Sequence, residues 1–183
     1  MDMDPATTKR QEPRRVQESR TTRLVLGTAL CTTGLVAGVF GLFSYAVMPA
    51  LARSDDRVYV EVMWNINDVI QTPLFLLLFL SPLPLTAIAA WRLRHPWPWT
   101  AFAAYVLTVV ITVVFHVPLN DALAAAGNPA IDPARERDRF ENTWAAWNTV
   151  RAVTSTVALG CLIPALTSAR GRQACCARGA CPW

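Results

Sequence analysis

Four stretches of this chain lack charge, or nearly lack it, over a length that can cross a bilayer, and they organise the rest of the sequence. Residues 24–51 contain no Asp, Glu, Lys or Arg and are dense in Leu, Val, Ala and Gly. Residues 72–91, TPLFLLLFLSPLPLTAIAAW, are likewise uncharged. Residues 100–117 follow, with His116 at their end, and residues 143–168 hold a single charge, Arg151, near their start. A hydrocarbon core about 30 Å thick is crossed by roughly 20 apolar residues in a helix, so each stretch predicts a transmembrane helix. Pro82 and Pro84 predict a kink or a locally unwound point in the second of them. The first stretch is too long for the apolar region of a cleaved signal, which runs to about 7–15 residues.

The polar intervals carry their own signals. Ser54 followed by Asp55 and Asp56 reads as a capped helix start with an acidic first turn, leading into an amphipathic segment up to Pro73. Asp132-Pro133 is a second start, with a capping carboxylate and proline at the first helical position, and predicts one helix from about 133 through the fourth span. The third helix is expected to run past Pro118 as far as Gly127. The fold class is therefore all-α, an integral membrane four-helix bundle over residues 24–168, with helical extensions of the second and fourth helices. Residues 1–23 read as a disordered basic leader and residues 169–183 as a Cys-rich tail.

Composition agrees: of 183 residues, 53% are hydrophobic and 16% charged, too apolar for an ordinary soluble domain. The charges that remain set an orientation. Lys9, Arg10, Arg14, Arg15, Arg20 and Arg23 precede the first span, Arg92 and Arg94 sit in the short turn after the second, and Arg170, Arg172 and Arg178 follow the fourth. On the other side, Arg53, Arg57, Arg135, Arg137 and Arg139 are outnumbered by acidic residues. The positive-inside rule then places both termini in the cytoplasm of a multi-pass cell-membrane protein, N-in and C-in, with the two long loops outside. The net charge of +4 is topological, and no basic stripe interleaved with aromatics supports a nucleic-acid partner.

Polar side chains at membrane depth are costly and usually face a bundle interior, which makes their positions the best guide to function. Trp144, Asn148 and Arg151 recur at helical spacing on the fourth helix with Trp147 beside them, and His116 and Asn120 share a face of the third. Glu61, Asn65 and Asp68 form one stripe before the second span, Asn67 and Gln71 another. All lie at the outer ends of their helices, where they could line one pocket, with Glu61 or Asp68 as the first partner for Arg151 and backbone carbonyls around Pro118 as the second. Plainer roles compete: Trp144 and Trp147 as an interfacial belt, Arg151 snorkelling outwards, Asn65, Asn67 and Gln71 as helix glue, His116 as a structural hydrogen-bonding group. Cys31 and Cys161 read as packing residues, and Cys175, Cys176 and Cys181 as a tail without assigned function.

Met48-Pro49-Ala50-Leu51, Asn65-Ile66-Asn67, Val117-Pro118-Leu119-Asn120 and the run Phe140, Trp144, Trp147, Asn148, Arg151 together resemble the anthrone oxygenase-like family of membrane proteins, over about residues 22–167. The sequence departs from the family where Gln71-Thr72-Pro73 replaces an Asn-Pro pair. The resemblance implies an oxidoreductase, a monooxygenase of polyketide biosynthesis that converts a reduced ring carbon of a flat phenolic or polyketide-type substrate to a carbonyl with O₂. On the cluster read above, His116 or Glu61 would be the base, and Arg151 would stabilise an enolate oxygen. Trp144 and Trp147 would stack on the rings, and Asn65, Asn67, Gln71, Asn120 and Asn148 would contact substrate. O₂ is the co-substrate and a cofactor-free reaction is preferred. His116 with Glu61 or Asp68 offers a metal only two ligands, because His95 lies in the opposite turn, although metal or haem stays open. The expected partners are the lipid bilayer and a hydrophobic small molecule, and homo-oligomerisation is open. The competing class is a non-enzymatic membrane binding, scaffold or export-accessory protein.

Overall fold

The computed structural model describes the backbone of residues 5–127 and 130–177 and the side chains of residues 20–127 and 130–167. Every element in it is helical: α1 (Pro5–Leu42), α2 (Met48–Leu51), α3 (Asp56–Ile70), α4 (Pro73–Leu80), α5 (Pro82–Leu93), α6 (Pro96–Ile111), α7 (Val117–Ala125) and α8 (Pro133–Ala177). Among the described residues, four stretches are long and apolar enough to cross a membrane, Arg20–Leu51, Pro73–Leu93, Pro96–Ala125 and Pro133–Thr167. The chain is thus built as a multi-pass membrane protein. Leu24, Leu77, Trp91, Val113 and Val153 are among the large apolar side chains left exposed, which suits lipid rather than water.

Two prolines shape the bundle. Pro49 and Pro118 each lack the N–H that an α-helix needs and crowd the carbonyl four residues back. In both places the preceding turn widens to a π-helix, Phe43–Val47 before Pro49 and Thr112–His116 before Pro118. Met48 N–H reaches back to Phe43 C=O and Val117 N–H to Thr112 C=O. At Pro82 the helix is interrupted at Ser81 instead, where the serine hydroxyl donates to Leu78 C=O at 3.1 Å and takes the acceptor that Pro82 cannot serve.

Helix starts are capped by short polar side chains. Thr72 Oγ1 accepts from Phe75 N–H, and Asp132 Oδ1 accepts from Arg135 N–H ahead of Pro133. The cap of α3 is Asp55, which accepts from Val58 N–H, rather than the expected Ser54, whose hydroxyl turns back to Leu51 C=O at 2.6 Å. α7 ends before Gly127, which takes φ 81°, a left-handed conformation that glycine adopts without strain. α1 begins at Pro5, so helix replaces the leader expected to be disordered. A helix already nucleated in the span extends at little cost through residues 14–23, RRVQESRTTR, which contain no glycine or proline, and α1 continues past Pro13 to Pro5. α8 likewise runs on to Ala177.

α8 is the axis, with α1 and α6 packed along it and α5 closing the ring against both. Near the Arg94 turn the core is made of small residues, Ala29, Ala89, Ala101 and Ala165 around Leu26 and Leu162, which lets backbones approach closely. Phe40, Phe79 and Tyr105 fill the middle, and the Tyr105 hydroxyl donates to Phe79 C=O at 2.6 Å. At the far end Tyr59, Met63, Leu123, Phe140 and Trp144 pack α3 and α7 onto α8. Arg137 fastens this end. It pairs with Asp56 at 3.0 Å and Glu141 at 2.6 Å, donates to the carbonyls of Ala52 and Ser54, and lies over the Tyr59 ring.

Candidate functional site

Between the middle and far layers lies a cavity of about 380 Å³. Its polar lining is built around Trp144. The Trp144 indole N–H donates to Asn120 Oδ1 at 2.9 Å. The His116 ring stands edge-on to it at 5.1 Å and 75°. The Arg151 guanidinium lies 5.6 Å from its ring and 4.2 Å from that of Phe40. Phe43, Phe75, Phe79 and Ile66 complete an apolar wall.

The two π turns place these groups. His116 is the last residue of the Thr112–His116 turn, and the widened backbone directs its ring inwards until only 1% of the residue is exposed. Neither ring nitrogen makes a hydrogen bond of good geometry among the described residues, although the backbones of Ile111 and Trp144 lie close to the ring. Buried polar atoms in proteins are usually paired, and those left open call for an account. On α1, the π turn lies beside Asn148, whose Nδ2 donates to Phe40 C=O at 3.1 Å and to Ser44 Oγ at 2.8 Å. Its Oδ1 then accepts from Arg151 Nη2 at 2.8 Å. Asn148 is therefore occupied on both sides and acts as the mount of Arg151.

Arg151 is 6% exposed and has no carboxylate partner among the described residues. Among the described residues it hydrogen-bonds, besides Asn148, to Thr112 Oγ1 at 3.4 Å, and its Nε has no partner. The expected partners Glu61 and Asp68 are exposed on α3, and the cation rests instead on two aromatic faces and one amide. The ring faces attract the cation, which offsets part of the desolvation cost of burying a charge without an opposite partner.

Seven of the sequence-derived candidates line the cavity: His116, Arg151, Asn67, Gln71, Asn120, Trp144 and Asn148. Three do not. Glu61 and Asn65 are exposed because α3 buries the opposite stripe, Tyr59, Val60, Met63 and Asn67, against α7 and α8. Trp147 faces away and stacks on Phe115 at 3.6 Å. Burial, reinforced by Glu141, holds the Tyr59 hydroxyl above the ordinary phenol range, and this group also lacks a hydrogen-bond partner. Thr112, Asp121 and the phenylalanine wall are lining groups that polar spacing alone did not single out. Asp68 borders a smaller side cavity of about 80 Å³, which shares Asn67, Gln71, Asn120 and Asp121 with the main one. Among the described residues no three His, Cys, Asp or Glu side chains gather as a metal-ligand set. The side chains of Cys175, Cys176 and Cys181 lie outside the described residues.

A family model described as anthrone oxygenase matches residues 61–161, more than half of the chain. The chain belongs to the anthrone oxygenase family. The matched span begins within α3 at Glu61 and runs through α7 into the cavity-lining part of α8, and it includes all seven polar lining candidates. The wall supplied by the first span, with Phe40 and Phe43, lies outside it, as does the Ser44 hydroxyl that accepts from Asn148. No curated protein and no solved structure matches the chain.

Proposed function

We propose that this anthrone oxygenase family member oxidises a flat phenolic or polyketide-type anthrone with O₂ inside the cavity, with His116 as base and Arg151 as oxyanion partner. The observation that carries the reading is the pair of groups gathered there: an imidazole without a well-formed hydrogen bond and a guanidinium without a carboxylate among the described residues, both against Trp144. The reaction balances as ring CH₂ plus O₂ giving ring C=O plus H₂O, with all the electrons supplied by the substrate. His116 removes the acidic C–H proton. Arg151 stabilises the resulting enolate oxygen, in a site where little water dilutes the field. The enolate is electron-rich enough to pass an electron to O₂, so the chain's own residues have only to generate and hold it. Trp144 offers a face to the rings, and Asn120, whose Oδ1 is taken by the Trp144 indole, keeps its Nδ2 to orient the carbonyl.

In this reading Trp147, Glu61 and Asn65 have no contact with substrate, and Asn148 positions Arg151. We also place both termini and the Arg94 turn in the cytoplasm, following the distribution of Lys and Arg. Single cysteines placed at Asp138 and Arg94 should then be labelled from opposite sides of sealed vesicles.

The test is oxygen uptake by protein purified into phosphatidylcholine vesicles and given a hydroxylated anthrone. One O₂ consumed per anthrone, with quinone formed well above the uncatalysed rate and no accumulated peroxide, is the expected result. A rate no higher than that of empty vesicles would leave a binding or scaffold protein as the reading of this fold.

A further inference from the structure

We propose that the cavity opens sideways into the bilayer, between α4 and the Thr112–His116 turn with the start of α7, and takes its flat aromatic ligand from dissolved lipid rather than from water. The inference rests on the aromatic substrate proposed above and adds the route by which it arrives. Leu76 and Leu80 on one side and Val113 and Val117 on the other all line the cavity. The same four residues are 47%, 48%, 59% and 45% exposed. A side chain on the wall of a closed pocket is covered, whereas one that faces the cavity and keeps about half its surface open stands at a mouth.

The depth and chemistry of this mouth decide what lies outside it. All four residues are apolar and belong to membrane-crossing stretches. Leu80 comes seven residues after Pro73, which at about 1.5 Å per residue puts it roughly 10 Å along the helix. That reaches well into a hydrocarbon layer about 30 Å thick. The other approach, at the loop end, is polar, bordered by Asn67, Gln71, Asn120 and Asp121. A ligand without charge partitions into the acyl chains and meets the Leu and Val mouth first. The geometry also suits a gap that can widen. α4 is eight residues long, bounded by the Thr72 cap and the break at Ser81, and it packs chiefly on α1. Phe79, in ring contact with Phe40 and Tyr105, holds its inner face.

The experiment follows exchange of tritiated anthraquinone, which the reaction does not consume, from protein in phosphatidylcholine vesicles. Leu80→Trp and Val113→Trp put bulk at the mouth. Leu77→Trp, at a lipid-exposed position outside the cavity lining, is the control. Exchange at least tenfold slower in the two mouth variants, with affinity changed far less than rate and Leu77→Trp unaffected, is the expected outcome. Anthraquinone-2-sulfonate, confined to water, should exchange with none of the four proteins. Anthraquinone binding with unaltered exchange in both mouth variants would overturn the lateral route. So would exchange of the sulfonate as fast as that of the parent ring. Slowed exchange in a protein that turns over no anthrone would instead overturn the oxidation and leave the route standing.

Discussion

The two ends of this bundle are packed on different terms. At the Arg94 turn, Ala29, Ala89, Ala101 and Ala165 are fully or almost fully buried, and helices meet through their smallest side chains. At the loop end, two prolines have widened α1 and the third span into π turns, and the interior holds an imidazole, a guanidinium and amides around open space. One end is filled with apolar atoms; the other keeps polar donors without partners. Buried polar atoms left unpaired cost stability, so the contrast locates where the fold gives up packing to keep groups available. The small-residue end is the close-packed frame of the bundle.

The comparison can be broken most sharply at His116. His116→Gln keeps the size of the side chain and removes the base, and turnover should fall by about 10³, within the range usual for a lost general base. Expression and thermal stability should hold, because the imidazole makes no well-formed hydrogen bond to lose; a large drop in stability would make it structural. Next comes the cation. Arg151→Met should lower kcat/KM by about 10²–10³, the scale of one lost oxyanion donor. Asn148→Asp should do similar harm with the cation still present, because a carboxylate at 2.8 Å would satisfy it internally. Thermal unfolding should show Arg151→Met as no less stable, since it removes a buried charge together with its desolvation cost. The smallest effect on turnover is expected at the frame. Ala89→Leu should destabilise by about 1–3 kcal/mol through overpacking yet change kcat less than twofold in protein that remains folded. A larger change in kcat would tie the two ends together in a way the packing does not suggest.

Much of this architecture is legible in the residues. Uncharged windows of bilayer length mark the four spans, and Asp132-Pro133 and Gly127 mark a helix start and a helix end as expected. The spacing of Trp144, Asn148 and Arg151, and of His116 and Asn120, puts each set on a face that does meet the cavity. α3 was harder, because it carries two polar stripes and polarity alone cannot say which one is buried. The apolar positions Tyr59, Val60 and Met63 settle it, since they run on into Asn67 and leave Glu61 outside. Trp147 follows the same logic: on α8 the cavity is lined by Trp144, Asn148 and Arg151, the face Trp147 does not share, and its neighbour Phe115 is too remote in sequence to be read as a partner. The surroundings of Arg151 were the least legible. Opposite charge is the natural partner to look for, whereas the structure supplies an aromatic face from α1 and an amide anchored at a π turn. Spacing at 3.6 residues does not foretell where a helix will widen, although Pro49 and Pro118 show where it must give up a hydrogen bond.

The central claim is that Arg151 is held open to receive the negative charge of a bound ring. Absorption of a hydroxyanthraquinone, which binds without being consumed, tests it directly, since ionising the phenol moves its visible band to longer wavelength. At pH 7 in vesicles, the account expects the bound dye to show the ionised band in the native protein and the neutral band in Arg151→Met. Bound dye with the same neutral spectrum in both proteins would contradict it.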